Sequence, residues 1–204
     1  MAGGTAKVGS STVDGKDAPA KKSARDRIFE TACELFYARG IRAVGVETIA
    51  SEAGATKMTL YRNFPSKDEL VAECLRDQAR QAWSWWDEVV GAHAGDPRRQ
   101  LEALFEAFGQ KTCGDTRGCA LSNAAIELHE PDHVARAVAV EHKAETRRRL
   151  GALCKAAGAR DEALADALFL MLEGAYVARV TLGESGPVRS LSAGARALMD
   201  CMLA

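Results

Sequence analysis

The sequence has no long apolar run and no stretch with the apolar–polar alternation of a β-strand. A helix that crosses a bilayer needs about 20 mostly apolar residues, and the N-terminal segment also lacks the apolar core of a signal peptide. We therefore expect no membrane span and no export signal, and we expect the chain to act in the cytoplasm. The missing strand pattern leaves an all-α fold as the prediction.

The sequence motifs of several common enzyme classes are also missing. It contains no glycine-rich phosphate loop, no GxSxG and no HExxH. Four potential metal ligands cluster at His129, Glu130, Asp132 and His133. Pro131 interrupts the helix that would place both histidines on one face. We expect a surface loop there, and we expect no catalytic residue, metal or cofactor in the chain.

Six cysteines are present, but none of them form a CxxC pair. In a chain without an export signal, buried thiols are the expected state of cysteine. Cys113 and Cys119 leave an alternative open, because Arg117 lies in the loop between them and a nearby cation favours the reactive thiolate. A redox-sensing regulator that uses Cys113 and Cys119 is therefore a second interpretation of the function.

Apolar residues recur at helical spacing through almost the whole chain, and Gly, Pro or Asp marks the breaks. We predict about nine helices, over residues 23–39, 46–53, 57–63, 66–90, from 96 through 108, 119–128, 133–157, 161–182 and from 188 onward. Residues 1–22 are rich in Gly, Ala, Ser, Lys and Asp, and we predict a disordered tail there.

Residues 40–70 contain two short predicted helices joined by a tight turn. Apolar residues at Val46, Ile49 and Ala53 share one helical face, and Gly54 ends that helix. Thr56 is placed to cap the next helix, residues 57–63, which has no acidic residue to repel DNA. Two helices separated by about three residues that include Gly are typical of a helix-turn-helix.

Spaced residues over about a quarter of the chain follow one known pattern. They are Phe36, Gly40, Thr48-Ile49-Ala50, Ala53-Gly54, Thr59-Leu60-Tyr61 and the run from Phe64 to Leu70. This stretch, roughly residues 25–71, resembles the DNA-binding domain of the tetracycline-repressor (TetR) family of bacterial regulators. The resemblance implies a homodimeric repressor that a small-molecule effector releases from a palindromic operator. It also implies a DNA-binding domain at residues 23–70 and a helical ligand-binding and dimerisation domain at residues 71–204.

A recognition helix of this kind places side chains in the major groove while flanking groups hold phosphates. The resemblance puts the Tyr61 hydroxyl on a phosphate, and Lys67 lies at the positive end of the fourth helix. Met58 is expected either to touch a thymine methyl group or simply to be exposed. The predicted DNA-contacting residues are Lys22, Arg25, Thr48, Thr56, Lys57, Met58, Thr59, Tyr61, Arg62 and Lys67, and Lys21 is a further candidate.

The resemblance also implies an internal small-molecule pocket, and such pockets have apolar walls with a few polar groups. The candidates are Trp83, Trp86, Phe105, Phe108, Asn123, Glu127, Phe169, Glu173 and Tyr176. Core packing is the alternative for each aromatic residue. Asn123 lies among small apolar residues, so we expect a buried amide that needs a partner.

The helix predicted at residues 161–182 is apolar around nearly its whole circumference, which is typical of a helix that is buried on all sides. The family builds its dimer from the last two helices. The predicted dimer contacts are therefore Phe169, Leu172, Tyr176, Leu191, Ala195, Leu198 and Met202. A helical protein-interaction module, without salt-dependent binding to DNA, is the remaining alternative function.

Overall fold

The computed structural model describes residues 22–114 and 116–203, so residues 1–21 of the predicted tail, with Lys21, lie outside it. The described residues form nine α-helices and no β-strand, which confirms the predicted all-α fold. No helix in this part of the chain has the length and apolarity to cross a membrane. The helices are α1 (Ala24–Arg39), α2 (Val46–Glu52), α3 (Lys57–Asn63), α4 (Lys67–Gly91), α5 (Pro97–Gly114), α6 (Ala120–Glu127), α7 (Val134–Ala156), α8 (Ala163–Leu182) and α9 (Leu191–Met202).

α1 begins at a complete capping box. The Ser23 hydroxyl accepts a hydrogen bond from the Asp26 amide at 3.1 Å, and the Asp26 carboxylate accepts one from the Ser23 amide at 3.3 Å. The Ser23 hydroxyl also donates to that carboxylate and thereby lowers the pKa of Asp26. These contacts pair backbone donors that the start of a helix otherwise leaves unsatisfied.

α1, α2 and α3 close around one small core. Ile28 from α1, Ile49 from α2 and Leu60 from α3 are all fully buried, and Phe64 packs beside them. Gly54 has a φ of +60°, which glycine adopts without a steric cost, and the chain reverses direction there between α2 and α3. The helix-turn-helix therefore lies where the sequence predicts it.

α4 is the longest helix, and it belongs to two hydrophobic cores. It begins at Ser66, whose hydroxyl accepts a hydrogen bond from the Glu69 amide at 3.1 Å. Its first half buries Leu70, Val71 and Leu75 in the core of the helix-turn-helix. Its second half buries Trp86 in a separate core. One continuous helix thus joins the two halves of the molecule.

The first core does not end at residue 70. It also takes in residues from α6 and α7, which are Leu121, Ala124, Leu128, Ala135 and Ala139. The second core is built from α5, α7, α8 and α9, and its fully buried members include Leu101, Leu104, Phe105, Leu150, Leu168 and Met199. The core of the DNA-binding helices therefore continues past α4 into α6 and α7.

The prediction of buried thiols is wrong for five of the six cysteines. Cys33 of α1 and Cys74 of α4 are joined by a disulfide, with their Cα atoms 5.4 Å apart. Cys113 and Cys201 are exposed free thiols. Cys119 is half-buried, and Cys154 is a buried thiol whose pKa is raised to about 11 by its burial. Helical spacing alone does not reveal that α1 and α4 place two cysteines face to face.

In the cluster of histidine and acidic residues before α7, His133 forms the cap of the helix. The Nδ1 atom of His133 accepts a hydrogen bond from the Ala135 amide at 3.1 Å, so His133 caps α7. Its Nε2 atom lies 3.4 Å from a carboxylate oxygen of Asp68 at the start of α4. Among the described residues, no three His, Cys, Asp or Glu side chains are grouped as a metal site requires.

Substituting Leu60 should destabilise the protein, whereas substituting Met58 on the outer face of the same helix should not. Leu60 is fully buried and Met58 is 83% exposed, although both lie in α3. We expect Leu60→Ala to lower the free energy of unfolding by about 2–5 kcal/mol, because it removes buried methyl groups and leaves a cavity. Met58→Ala should change it by less than about 0.5 kcal/mol. Urea unfolding followed by circular dichroism measures both, and equal losses would contradict the orientation of α3.

Candidate functional site

The outer face of α3 is formed by the side chains that point away from Leu60. Met58 is 83% exposed and Tyr61 is 44% exposed, with Lys57 and Arg62 exposed beside them. Because α3 is held from behind by the buried Leu60 and Phe64, this face is fixed in position. It presents two cations, one phenol and one thioether to solvent.

The two threonines of α3 hold the start of the helix. The Thr56 hydroxyl accepts a hydrogen bond from the Thr59 amide at 3.1 Å and lies 2.9 Å from the Thr59 hydroxyl. Thr56 is the predicted N-cap of α3. The Asn63 amide donates to the Thr59 carbonyl at 2.7 Å. Thr48, early in α2, is half-buried.

A carboxylate from α2 lies against the outer face of α3. The Lys57 ammonium is 3.0 Å from Glu47, and the hydrogen bond to that carboxylate raises the pKa of Lys57. The sequence indicates no acidic residue within α3, but it does not show that Glu47 reaches Lys57 across the turn. A phosphate that binds Lys57 therefore competes with Glu47 for its ammonium.

Three predicted phosphate contacts are engaged within the chain. Lys67 donates to the Ile41 carbonyl at 2.6 Å, so it fastens the loop after α1. The guanidinium of Arg25 is 2.5 Å from a Glu73 oxygen and lies 4.8 Å from the ring centre of Phe64. Lys22 pairs with Glu30 at 2.6 Å. The pairs of Arg25 and Lys22 are exposed, and exposed pairs contribute little and exchange readily.

Arg27 is a positioning residue that sequence reasoning missed. Its Nε atom donates to the Ala53 carbonyl at 3.1 Å, and one of its terminal nitrogens lies 3.5 Å from the Gly54 carbonyl. These carbonyls are at the end of α2, where a cation is favourable. Arg27 therefore fixes the turn of the helix-turn-helix to α1, and no local pattern in the sequence indicates it.

Glu127 joins the C-terminal half to the DNA-binding helices. Its carboxylate accepts hydrogen bonds from the Ile41 amide at 2.9 Å and the Arg42 amide at 2.5 Å. A Cβ atom on Gly40 would lie 3.3 Å from the same carboxylate, and Gly40 has a φ of +87°. The positive φ favours glycine there, and a Cβ atom would also require a small shift of the Glu127 carboxylate. The sequence predicts Glu127 as a ligand-binding residue, and the structure places its carboxylate on this loop.

The loop before α6 makes further contacts with α1. The Tyr37 hydroxyl donates to the Gly118 carbonyl at 3.3 Å, and Arg117 donates to the Ala38 carbonyl. The sequence predicts that Arg117 acts on the thiols of Cys113 and Cys119, but its side chain is turned toward α1. Together with Glu127, these residues attach the end of α1 to the C-terminal half.

A cavity of about 410 Å³ lies between α1, α4 and α6. Its apolar wall includes Phe36, Ile41, Val71, Leu75 and Ala124, and the disulfide between Cys33 and Cys74 forms part of it. Polar groups at its rim come from Gln78, Asn123, Glu127, Arg39 and Arg117. An apolar wall with a few polar groups is typical of a small-molecule site, and this one touches the DNA-binding helices directly.

The aromatic residues predicted to line a ligand pocket lie elsewhere. Trp86, Phe105 and Phe108 are buried in the second core, where Phe108 packs edge-to-face on both of the others with ring centres 6.2 Å apart. Trp83 is half-buried between His142, at 4.5 Å, and Arg149, at 4.1 Å. Burial lowers the pKa of His142 to about 4. These aromatic residues thus follow the core-packing alternative.

The polar residues predicted for the pocket divide between two places. Asn123 lines the cavity but is exposed, so its predicted burial is wrong; its amide donates to the Arg117 carbonyl at 2.9 Å. Glu173 instead accepts hydrogen bonds from Lys143 at 2.6 Å and Ser122 at 2.9 Å. Lys143 also lies 5.9 Å from the ring centre of Tyr176. Glu173 therefore belongs to an ionic cluster between α6, α7 and α8.

Three of the predicted dimer contacts are wrong. Leu172, Leu191 and Ala195 are buried in the second core of their own chain, so they cannot reach another protomer. Phe169, Tyr176, Leu198 and Met202 are partly buried against the same core. The exposed apolar side chains of α8 are Leu170 and Val177, which lie on its other face, and Val180 and Leu182 near its C-terminal end. A helix that is apolar all round does not show in its sequence which face is free.

Two sequence matches connect this chain with known proteins. Residues 28–74 match the family model described as bacterial regulatory proteins of the tetR family. The transcriptional repressor KstR2 of Mycobacterium tuberculosis is 36% identical over 85 residues, and the match covers 42% of this chain and 42% of the repressor. Its sequence similarity to this chain is therefore limited to less than half of either protein.

Solved structures match nearly the whole chain. A putative TetR-type transcriptional regulator from Streptomyces avermitilis is 30% identical with a TM-score of 0.78, and the match covers 89% of this chain and 98% of that protein. A TetR-family regulator from Streptomyces coelicolor is 27% identical with a TM-score of 0.81, over 88% of this chain and 95% of that protein. With its helix-turn-helix at the matching position, the chain belongs to the TetR family of bacterial transcriptional regulators.

Proposed function

We propose that this protein is a cytoplasmic repressor that binds a near-palindromic operator as a homodimer and leaves it when a small molecule binds. The observation that carries the DNA-binding part is the outer face of α3. Lys57, Met58, Tyr61 and Arg62 are exposed there on a helix that is fixed by buried Leu60. The similarity to a protein named as a transcriptional repressor, over the DNA-binding half, supports the direction of regulation.

α3 is the element that enters the major groove. Its N-terminal half carries Lys57 and Met58, and base edges are read by such residues. Tyr61 and Arg62, one turn later, are placed for phosphates of the flanking strand. The positions of Thr56 and Thr59 as capping residues explain why α3 is rigid enough to read a sequence.

The exposed face of α8 is the proposed dimer surface. Leu170, Gly174 and Val177 are exposed and follow one another at spacings of four and three residues, which places them on one stripe of the helix. A groove of about 280 Å³ continues this stripe between α8 and the turns before α9, with walls from Met171, Ala178 and Val188. Contiguous exposed apolar surface of this kind marks an interaction site. Two copies joined along α8 would present two copies of α3 to successive grooves.

The cavity between α1, α4 and α6 is the proposed effector site. A ligand there would touch both the helix-turn-helix and the C-terminal half, since Phe36 and Ile41 face Leu75 and Ala124 across it. A ligand that prefers one spacing of these helices shifts the population toward that spacing. Glu127, which holds the amides of Ile41 and Arg42, is then the connection through which the shift reaches α2 and α3.

Selection from random DNA tests the proposal as a whole. We expect the purified protein to enrich a near-palindromic sequence with half-sites about one helical turn apart. Enrichment of no sequence at low salt would favour the alternative of a helical interaction module. Enrichment of a single half-site would retain DNA binding and remove the homodimer.

Removing Arg62 should reduce the salt dependence of operator binding. Each phosphate that a protein cation neutralises adds about 0.9 to the steepness of log affinity against log salt. Arg62→Ala should show a shallower slope, because Arg62 is exposed on the outer face of α3. Arg160→Ala, which removes an equally accessible cation from the turn before α8, should leave the slope unchanged. Fluorescence anisotropy at several salt concentrations measures both slopes, and identical slopes would take Arg62 out of the interface.

A charge on the exposed face of α8 should separate the dimer. Val177 is 58% exposed on α8, and Ile126 is 68% exposed on α6. We expect Val177→Glu to sediment as a folded monomer, because two carboxylates would face each other across the twofold interface. Ile126→Glu should remain dimeric. Analytical ultracentrifugation distinguishes these outcomes, and a dimeric Val177→Glu protein would rule out this face of α8.

Weakening the Glu127 contact should loosen the loop after α1. Hydrogen bonds to a charged acceptor contribute about 1.5–3 kcal/mol. Glu127→Gln should therefore speed hydrogen exchange at the amides of Ile41 and Arg42, which donate to that carboxylate. Glu130→Gln is the matched control, since Glu130 pairs with the side chain of Arg42, at 3.5 Å, rather than with its amide. Unchanged exchange in Glu127→Gln would show that the loop is held by other contacts.

A further inference from the structure

The disulfide between Cys33 and Cys74 connects the DNA-binding helices to the helix that leads into the C-terminal half. Cys33 lies in the middle of α1 and Cys74 lies in the first half of α4. The two residues are 41 positions apart, and all of α2 and α3 lies between them. The bond therefore closes a covalent loop around the whole helix-turn-helix.

The two sulfur atoms differ in their access to solvent. Cys74 is 3% exposed, and its sulfur lies 3.9 Å from the Phe29 carbonyl. Cys33 is only partly buried. Both residues line the cavity of about 410 Å³ between α1, α4 and α6. A small reagent in that cavity reaches Cys33 more readily than Cys74.

The location of the bond does not suit a purely structural role. On the proposed function the protein works in the cytoplasm, where disulfides are kept reduced unless they take part in redox chemistry or sensing. Ala32, Phe36, Val71 and Leu75 are buried around the bond, so apolar packing keeps α1 and α4 together without it, while packed helices can still shift by small amounts. Exposed disulfides are the labile and regulatory ones, and the cavity gives this bond its access to small molecules on the Cys33 side.

We propose that Cys33 and Cys74 form a reversible thiol–disulfide pair, oxidised by a low-molecular-mass disulfide in the cavity, and that the oxidised form binds DNA more tightly. The inference rests on the proposed DNA-binding function. It moves redox chemistry away from Cys113 and Cys119, which are free thiols in the structure. Cys33 is the thiol that the oxidant meets first, and Cys74 is the thiol that resolves the mixed disulfide.

The reaction is two successive thiol–disulfide exchanges. The Cys33 thiolate attacks one sulfur of the small disulfide, forms a mixed disulfide and releases one small thiolate. The Cys74 thiolate then attacks the Cys33 sulfur, forms the intramolecular bond and releases the second small thiolate. Two protein thiols and one small disulfide thus become one protein disulfide and two small thiols. Excess small thiol reverses both steps.

Oxidation acts on DNA binding by reducing the freedom of the helix-turn-helix. With the bond closed, α1 cannot slide along α4, so α3 keeps one position relative to the rest of the protein. A binding element that is already held in place loses less entropy when it binds. Reduction removes that restraint, and the operator affinity should fall.

The test uses a Cys113→Ser/Cys201→Ser protein, which lacks the two exposed thiols but retains the whole chain. It is equilibrated with mixtures of reduced and oxidised glutathione, unfolded, alkylated and weighed by mass spectrometry. The remaining cysteines are Cys33, Cys74, Cys119 and Cys154, so the reduced form takes four labels and the oxidised form takes two. We expect the number of labels to fall from four to two as the proportion of oxidised glutathione in the mixture rises.

Operator affinity is then measured for both forms by fluorescence anisotropy. We expect a loss of about fivefold on reduction, equivalent to about 1 kcal/mol. Cys33→Ser in the same background should have one affinity at every glutathione mixture. Cys74→Ser should stop at the mixed disulfide on Cys33, which adds the mass of one glutathione, and should not gain the affinity of the oxidised form. Melting curves of both variants show whether either serine disturbs folding.

Two results would overturn the proposal. One is a protein that takes four labels, or two labels, at every mixture, because the pair would then not be reversible. The other is equal or lower operator affinity in the oxidised form, which would leave the bond without the predicted effect on DNA. Absence of operator binding in every form would instead contradict the proposed function, and the label count would still decide whether the thiol pair is reversible.

Discussion

The burial of α4 in two hydrophobic cores is the constraint on which the rest of the molecule depends. Leu70, Val71 and Leu75 fix its first half under the helix-turn-helix, and Trp86 fixes its second half among α5, α7 and α8. A packed interior transmits displacement, because side chains in contact cannot move independently. Any change in the direction of α4 must therefore be accommodated in both cores, so that the position of α3 and the packing of the C-terminal helices are not independent.

The contacts of α6 add a second connection, and it is polar where α4 is apolar. The Glu127 carboxylate holds two backbone amides of the loop after α1, while Tyr37 and Arg117 connect the end of α1 with the segment before α6. Between the apolar and the polar connection lies the cavity that includes the disulfide. Apolar packing, hydrogen bonds and a disulfide thus meet where the DNA-binding helices join the remainder of the chain.

The sequence predicts the parts of this structure that depend on near neighbours. Thr56 as a cap, Gly54 as a helix end and Leu60 as a core residue all follow from spacing within one or two turns. It does not predict contacts across long stretches of chain, such as Arg27 with Ala53 or Glu127 with Ile41, which are separated by 26 and 86 residues. The prediction for helix α8 fails for another reason. Apolar residues lie on every side of this helix, so the sequence does not show which of Leu170 and Leu172 is buried.

The ion pair between Lys57 and Glu47 has a consequence for how the protein finds its site. Glu47 occupies the ammonium of Lys57 in the free protein, at 3.0 Å. Both side chains of this pair are exposed, so the pair exchanges readily, and a DNA phosphate competes with Glu47 for the Lys57 ammonium. A carboxylate beside the recognition helix opposes phosphate attraction at every DNA sequence alike. We therefore expect Glu47 to shorten residence on unrelated DNA.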